Sequence, residues 1–226
     1  MLIILDLDGT IINTVHPSWK PYKDGQQDYP VAQIPLFIGV KEFIASRKHK
    51  GDSLVIASDS HPRYVNPIAD MLGVEALSLT DKPNNKKILE FLDSHPQYKQ
   101  IEYPPQQQED KYSGSKDSRI QAALSQGLIL VQSGIDGGSK YTLATFSKLP
   151  RVLGVTHFPI SEEYQTEKFE ANRVILSEQK DGIARFVGLK TTKKIELSSI
   201  IPIQGKVDYD IFSSKIDNIT FQTSLF

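Results

Sequence analysis

Cysteine is absent from the 226 residues of this chain. Disulfides, thiolate zinc sites and cysteine nucleophiles are thereby excluded, and the absence fits a reducing compartment. No apolar stretch reaches the roughly 18 residues of a transmembrane helix, and the apolar run that starts at Met1 stops at Asp6, which is too early for a signal peptide. We therefore expect a cytoplasmic protein with no membrane partner.

A large excess of either charge is also lacking, because 26 basic residues oppose 27 acidic residues and the net charge is −1. This balance gives no signature of a nucleic-acid partner or of an anionic membrane surface. The hydrophobic fraction of 39% with 23% charged residues is typical of a globular protein. The length predicts one large domain, or one domain with a small addition.

The most informative stretch is the N-terminal sequence MLIILDLDGTIINT. Its first five residues are a continuous apolar run, which favours a parallel strand buried on both faces. Asp6 and Asp8 follow two residues apart, so an extended backbone directs both carboxylates to the same side, and Gly9 permits a sharp turn. The sequence therefore predicts two acids at the carboxyl end of a strand, where open α/β sheets bind ligands.

This pattern, apolar residues followed by Asp-Leu-Asp-Gly-Thr at 6–10, resembles the first motif of the haloacid dehalogenase-like (HAD) hydrolase superfamily. The resemblance implies an α/β fold, with a three-layer Rossmann-like parallel sheet. It implies that Asp6 is a nucleophile that forms an aspartyl-phosphate, and that Asp8 is the general acid and base. It also implies a phosphate-binding role for Thr10 and a Mg²⁺ ion held by Asp6 and Asp8.

Two later segments resemble the second and third HAD motifs. Residues 54–57 read as a buried strand that ends at Ser58, whose hydroxyl the resemblance implies to bind a phosphate oxygen. A serine in that place is also a common helix cap. Lys82 stands in a Lys-Pro pair before a predicted helix and matches the lysine that offsets the charge of the phosphorylated aspartate.

The segments around these motifs complete the predicted α/β order. Hydrophobic spacing predicts helices near 39–48 and 65–72, and a short third strand at 77–79. Residues 15–35 lie where the superfamily inserts a small cap or flap, and a surface loop anchored by its aromatic residues is the equal alternative. Trp19 in this insert suits stacking on a ring of the ligand.

The fourth HAD motif, Gly-Asp followed by three residues and a second Asp, has no complete match. In the favoured alignment Ser115 and Arg119 stand at the acidic positions, and Asp117 is the substitute ligand for Mg²⁺. In the second alignment residues 128–131 are the strand before the motif, and Gln132 and Asp136 stand at the acidic positions. Both alignments leave the metal site short of carboxylates.

The resemblance ends near residue 154, so it predicts a HAD-like domain of residues 1–154. Short runs of β-type residues at 174–176, 186–189, 195–197 and 207–211 then predict a β-rich C-terminal appendage of residues 155–226. Its role is not readable from the sequence, and a protein partner is one role that such an appendage can serve.

Two functions follow from these motifs. The first is a Mg²⁺-dependent phosphatase that acts through an aspartyl-phosphate on a phosphorylated metabolite, nucleotide or macromolecule. The alternative is a catalytically impaired HAD-like protein that binds a phosphorylated ligand or a protein partner. The pair of Asp6 and Asp8 favours the first function, whereas the loss of the fourth-motif acids favours the second.

Overall fold

The computed structural model describes residues 2–20, 31–58, 60–78, 122 and 125–218, and the fold is given for these residues. They form an α/β structure with two three-stranded parallel sheets. The strands are β1 (Leu2–Leu5), β2 (Ser53–Ala57), β3 (Glu75–Leu77), β4 (Gly127–Leu130), β5 (Val152–Thr156) and β6 (Ser199–Ile203). The α-helices are α1 (Val40–His49), α2 (Pro62–Leu72), α3 (Ser139–Phe146), α4 (Glu170–Glu178), α5 (Lys180–Val187) and α6 (Lys206–Asp217). No helix of these residues is long and apolar enough to cross a membrane.

The first sheet has the order β1-β2-β3, and the predicted first two strands are confirmed. The register pairs Leu5 with Ile56, so β1 and β2 end at the same edge of the sheet. β3 is two residues earlier than the predicted third strand, because the chain leaves α2 at Gly73, in a left-handed conformation, and pairs with β2 from Glu75 onward. This register places the chain that follows β1 beside the chain that follows β2.

The second sheet has the order β4-β5-β6 and helices on both faces. Successive residues of β5 face opposite sides of the sheet, and all five are buried. Leu153 and Val155 belong to the core cluster that includes residues of α3, α4 and α5. Val152 belongs to the other cluster, together with residues of α6 and of the first sheet. The second half of the chain is therefore a three-layer arrangement that shares a core with the first half.

The predicted β-rich appendage is wrong in its secondary structure. Residues 174–176 lie in α4, residues 186–187 end α5, and residues 207–211 begin α6. The buried residues of α6, Tyr209, Phe212 and Ile216, recur every three to four positions and pack against the sheet, and this burial outweighs the local β-type composition. Residues 195–197 are irregular.

The C-terminal residues also extend the sheet of the preceding segment. The boundary predicted between residues 154 and 155 falls within β5, and β6 pairs with β5 from Val152 opposite Ser199 to Thr156 opposite Ile203. The described residues beyond 155 thus contribute one strand and three α-helices.

α6 is attached to α1 by a network of ion pairs. Arg47, only 2% exposed, lies 2.6 Å from the carboxylate of Asp52 and 2.9 Å from that of Asp217. Lys50 reaches the second oxygen of Asp217 at 2.6 Å. The Phe43 and Tyr209 rings pack beside this network with centroids 5.3 Å apart. Charge pairing and aromatic contact therefore fix the C-terminal helix on the first half of the chain.

We expect this attachment to weaken in acid. Partial burial raises the pKa of Asp217, but hydrogen bonds from Lys50 and Arg47 and their charges outweigh it, and the pKa lies below its ordinary value of 3.8. The unfolded chain thus binds this proton more tightly, so the stabilisation is complete above the ordinary pKa and is lost as the pH falls through the lowered pKa. Urea unfolding of the wild type and Asp217→Asn from about pH 6 to about pH 3 measures this loss. If the wild type remained more stable than Asp217→Asn by the same amount at the lowest pH, the stabilisation would not come from the charge of Asp217.

Candidate functional site

The chain turns back on itself immediately after β1. The carbonyl oxygen of Leu7 accepts hydrogen bonds from the N–H groups of Thr10, Ile11 and Ile12 at 3.3, 3.0 and 3.0 Å. Leu7, Ile11 and Ile12 are buried in the core, which anchors the turn. Gly9 has φ +72°, a conformation that a residue with a side chain adopts only at a cost. Buried apolar residues therefore fix the turn from the core side, and its polar residues lie at the edge of the sheet.

Both acids of the turn are exposed at that edge. Oδ1 of Asp6 accepts a hydrogen bond from the backbone N–H of Leu7 at 2.9 Å. Oδ1 of Asp8 accepts one from the Tyr64 hydroxyl at 2.5 Å, and Oδ2 accepts one from the Ser60 hydroxyl at 3.1 Å. Asp8 is therefore oriented through both of its oxygens by residues that follow β2.

Tyr64 is itself held by the insert. The indole N–H of Trp19 donates to the Tyr64 hydroxyl oxygen at 2.9 Å. Both rings are half-buried against the core cluster of the first sheet. A chain of hydrogen bonds therefore runs from Trp19 through Tyr64 to Asp8.

The two ends of the insert are paired beside the turn. The N–H of Asn13 donates to the carbonyl of Pro35 at 2.7 Å, and that of Phe37 donates to the carbonyl of Ile11 at 3.0 Å. The insert thus leaves and re-enters the fold next to Asp6 and Asp8. Its described residues, 15–20 and 31–35, include Trp19 but not residues 21–30.

Ser58 lies at the same edge, directly after β2, and is buried. Its N–H donates to the carbonyl of Leu77 at 2.9 Å, and its hydroxyl oxygen accepts the N–H of Ser60 at 3.1 Å. α2 is capped by His61, whose Nδ1 accepts the N–H of Arg63 at 3.2 Å. The alternative that Ser58 caps this helix is therefore wrong.

Gln132, two residues beyond β4, contacts the turn from the second sheet. Its Oε1 accepts a hydrogen bond from the Thr14 hydroxyl at 2.6 Å. A Cβ at Gly9 would lie 2.7 Å from the same oxygen, so a larger residue there would displace the Gln132 amide in addition to straining the backbone at this φ angle. Nε2 of Gln132 is buried and has no hydrogen-bond partner among the residues that the structure describes. A buried amide N–H₂ group without an acceptor, against the turn that carries the two acids, is a feature that a bound ligand would explain.

The position of Gln132 bears on the fourth motif. In the second alignment Gln132 stands at the first acidic position, and the structure places it against the Asp-Leu-Asp-Gly-Thr turn. Asp136, the other acidic position of that alignment, is exposed in the loop between β4 and α3. Ser115, Asp117 and Arg119 of the favoured alignment lie outside the described residues, as does Lys82.

Four of the predicted site residues, Asp6, Asp8, Thr10 and Ser58, therefore lie at one edge of the first sheet. Of these, Thr10 uses its N–H inside the turn, and its role at a phosphate stays a prediction. Sequence reasoning did not identify Ser60 or Tyr64 as partners of Asp8. Both are among the first residues after Ser58, and a helix that follows a strand begins at the ligand-binding edge, so their position was the available signal.

The donors at this edge suit Mg²⁺ better than a softer metal. Mg²⁺ takes oxygen ligands, keeps several waters and often uses only one or two carboxylates together with phosphate oxygens. Asp6 would offer a carboxylate and Asp8 its main-chain carbonyl, and a 180° rotation of the Gln132 amide would present a carbonyl oxygen in place of Nε2. Within the described part of the chain no group of three or more His, Asp or Glu residues is arranged to hold a metal ion. Asp6, Asp8 and Gln132 are therefore the described residues whose oxygen atoms would hold a Mg²⁺ ion.

Comparisons of the chain with protein-family models, with curated proteins and with solved structures found no match. The likeness to the HAD superfamily rests on the motif residues of the sequence.

Proposed function

We propose that this chain is a Mg²⁺-dependent phosphoric monoester hydrolase that acts through an aspartyl-phosphate on Asp6. The observation that carries the proposal is the pair of exposed carboxylates after β1, one of which is oriented by two hydroxyl groups. Paired acids at the carboxyl end of a parallel strand supply a nucleophile and a proton donor in one place. If the turn were only an exposed loop whose acids cap a helix, hydrogen bonds to both oxygens of Asp8 would not be required.

In this reaction an Asp6 oxygen attacks phosphorus and the bond to the leaving oxygen breaks, with its electron pair moving to that oxygen. Asp8 donates the proton that the leaving oxygen takes up. A water then attacks the aspartyl-phosphate, gives its proton to Asp8 and releases phosphate from Asp6. When bound, Mg²⁺ would neutralise part of the charge that the carboxylates and the phosphate share.

Ser58 and Thr10 are proposed to bind phosphate oxygens at this edge, and Lys82 to offset their charge. Ser58 is the better supported of the three, because its buried hydroxyl lies at the end of the strand next to β1. The substrate is proposed to be a phosphorylated metabolite, nucleotide or macromolecule. An insert of about 20 residues is too short to enclose a large cavity, so bulky phosphates are included.

A screen of phosphate esters tests the proposal. It compares p-nitrophenyl phosphate, nucleotides, sugar phosphates and a phosphorylated peptide, each with and without Mg²⁺. We expect turnover of at least one class and dependence on Mg²⁺. Turnover that is equal in the presence of a chelator would exclude the metal, and the absence of turnover in every class would favour the second function.

The second candidate is a HAD-like protein that binds a phosphorylated ligand without rapid hydrolysis. Gln132 favours it, because an amide stands where the second alignment expects a carboxylate. A neutral ligand contributes less to the affinity for a divalent cation than a charged one does. Ligand binding without turnover in the same screen, measured with inorganic phosphate and Mg²⁺, would support this candidate.

Gln132→Glu is expected to strengthen Mg²⁺ binding about 10- to 100-fold, equivalent to about 1.4 to 2.8 kcal/mol. The substitution keeps the shape of the side chain and the acceptor for Thr14, but it replaces the unpartnered Nε2 with a carboxylate oxygen. Calorimetric titration of Mg²⁺ in the presence of phosphate measures the change. Gln179→Glu, which adds the same charge at an exposed position between α4 and α5, is the control and should bind as the wild type does. Equal affinities for Gln132→Glu and the wild type would place the metal away from residue 132.

A further inference from the structure

We infer that Tyr64 is a positioning residue for Asp8, and that it connects Asp8 to Trp19 of the insert. The inference rests on the proposed function, because it concerns the acid and base of that reaction. It also has a geometric part that holds without turnover: Tyr64 joins Asp8 to Trp19 of the insert.

The direction of each hydrogen bond in this chain follows from its donors. An indole N–H can only donate, so the Tyr64 hydroxyl oxygen is the acceptor for Trp19. The single hydroxyl proton of Tyr64 is then directed to Oδ1 of Asp8, 2.5 Å away. The Tyr64 hydroxyl has one proton and donates it to Asp8, so Oδ1 of Asp8 is the acceptor of this hydrogen bond.

Oδ2 of Asp8 has a more adaptable neighbour. Its partner is the hydroxyl of Ser60 at 3.1 Å, and a serine hydroxyl both donates and accepts after rotation about one bond. Tyr64, whose hydroxyl oxygen is already the acceptor for Trp19, is therefore the partner that fixes the position of Asp8.

Trp19 also connects Asp8 to the insert through Tyr64. Because Trp19 lies in the insert and the insert is pinned at both ends beside the turn, the position of Asp8 is tied to that of the insert. Trp19 is the only tryptophan of the chain, so the tryptophan fluorescence comes from this position.

Tyr64→Phe tests the positioning role through the leaving group. We expect kcat on an alkyl phosphate to fall about 10- to 100-fold with little change in KM, because misplacement of a catalytic group by even about 1 Å has effects of this size. p-Nitrophenyl phosphate, whose leaving group needs little protonation, should lose less than about threefold. Tyr209→Phe removes a phenol hydroxyl from α6 and should behave as the wild type does. An equal loss on both substrates, or no loss, would overturn the assignment.

Fluorescence tests the geometric part whether or not the chain is a phosphatase. Asp8→Asn should shift the emission of Trp19 in the wild-type background, and it should have no effect in the Tyr64→Phe background, where the connection is already broken. Ser60→Ala, which removes the other donor to Asp8, should leave the emission unchanged. If the wild type hydrolyses no substrate but this pattern is found, the proposed function fails and the positioning contact stands. Equal shifts in both backgrounds, or no shift in either, would overturn the role of Tyr64.

Discussion

Asp6→Asn is expected to abolish the proposed hydrolysis, with a loss on the order of 10⁴- to 10⁶-fold in kcat, as in enzymes that lose a covalent nucleophile. An amide oxygen is a poor nucleophile towards phosphorus. Asp8, the nearest other carboxylate of the turn, already accepts hydrogen bonds on both oxygens. Steady-state kinetics on the best substrate of the screen, together with trapping of the acyl phosphate, measures the effect.

Asp70→Asn provides the matched control for this prediction, because it makes the same change at an exposed position on α2. It should retain wild-type activity. Asp8→Asn should fall between the two, since loss of general acid catalysis costs about 10² to 10⁴ in rate. Wild-type activity of Asp6→Asn would show that the hydrolysis comes from another site or from a contaminant.

Arg47→Leu is expected to lower the free energy of unfolding by about 3 to 5 kcal/mol, which is typical when one partner of a buried ion pair is removed. Arg47 is 2% exposed, and the carboxylate of Asp52 next to it is 8% exposed. Leucine fills part of the volume but leaves that carboxylate without its guanidinium partner. Urea unfolding measures the change, which is a large part of the stability of a typical domain.

Two comparisons decide whether the loss comes from the buried charge. Lys50→Leu removes the exposed partner of Asp217 and should cost less than about 1 kcal/mol. The double variant Arg47→Leu, Asp52→Leu should recover part of the loss, because it also removes the buried Asp52 carboxylate, while Asp217 keeps Lys50 as its partner. A loss for Arg47→Leu no greater than that for Lys50→Leu would mean that the network is replaceable by solvent.

Local patterns determined the first half of the fold. The continuous apolar run before Asp6 and the apolar residues 54–57 predicted β1 and β2, and both strands are confirmed. Amphipathic spacing and terminal glycines predicted α1 and α2 within a few residues. These predictions succeeded because a strand buried on both faces and a helix with one buried face each leave a signature within about ten neighbouring residues.

The C-terminal helices were not predicted, because their residues carry conflicting local signals. Val207 to Ile211 alternate between apolar and acidic residues, which is a strand pattern over five positions. Only the wider set, with Phe212 and Ile216 packed on β5 and its neighbours, shows the helical face. The sheet provides the surface that selects the helix, and the sheet exists only in the tertiary structure.

The residues of the candidate site also divide into those that the sequence predicts and those that only the tertiary structure brings together. The sequence by itself determined that Asp6 and Asp8 share the end of a strand, because two residues of extended backbone place them on one side. The tertiary structure alone decided that Ser60 and Tyr64 orient Asp8 and that Gln132 meets the turn. These contacts join residues that are 52, 56 and 118 positions apart. Contacts at such separations depend on the strand order and on the packing of the two sheets, and no periodicity along the chain records either of them.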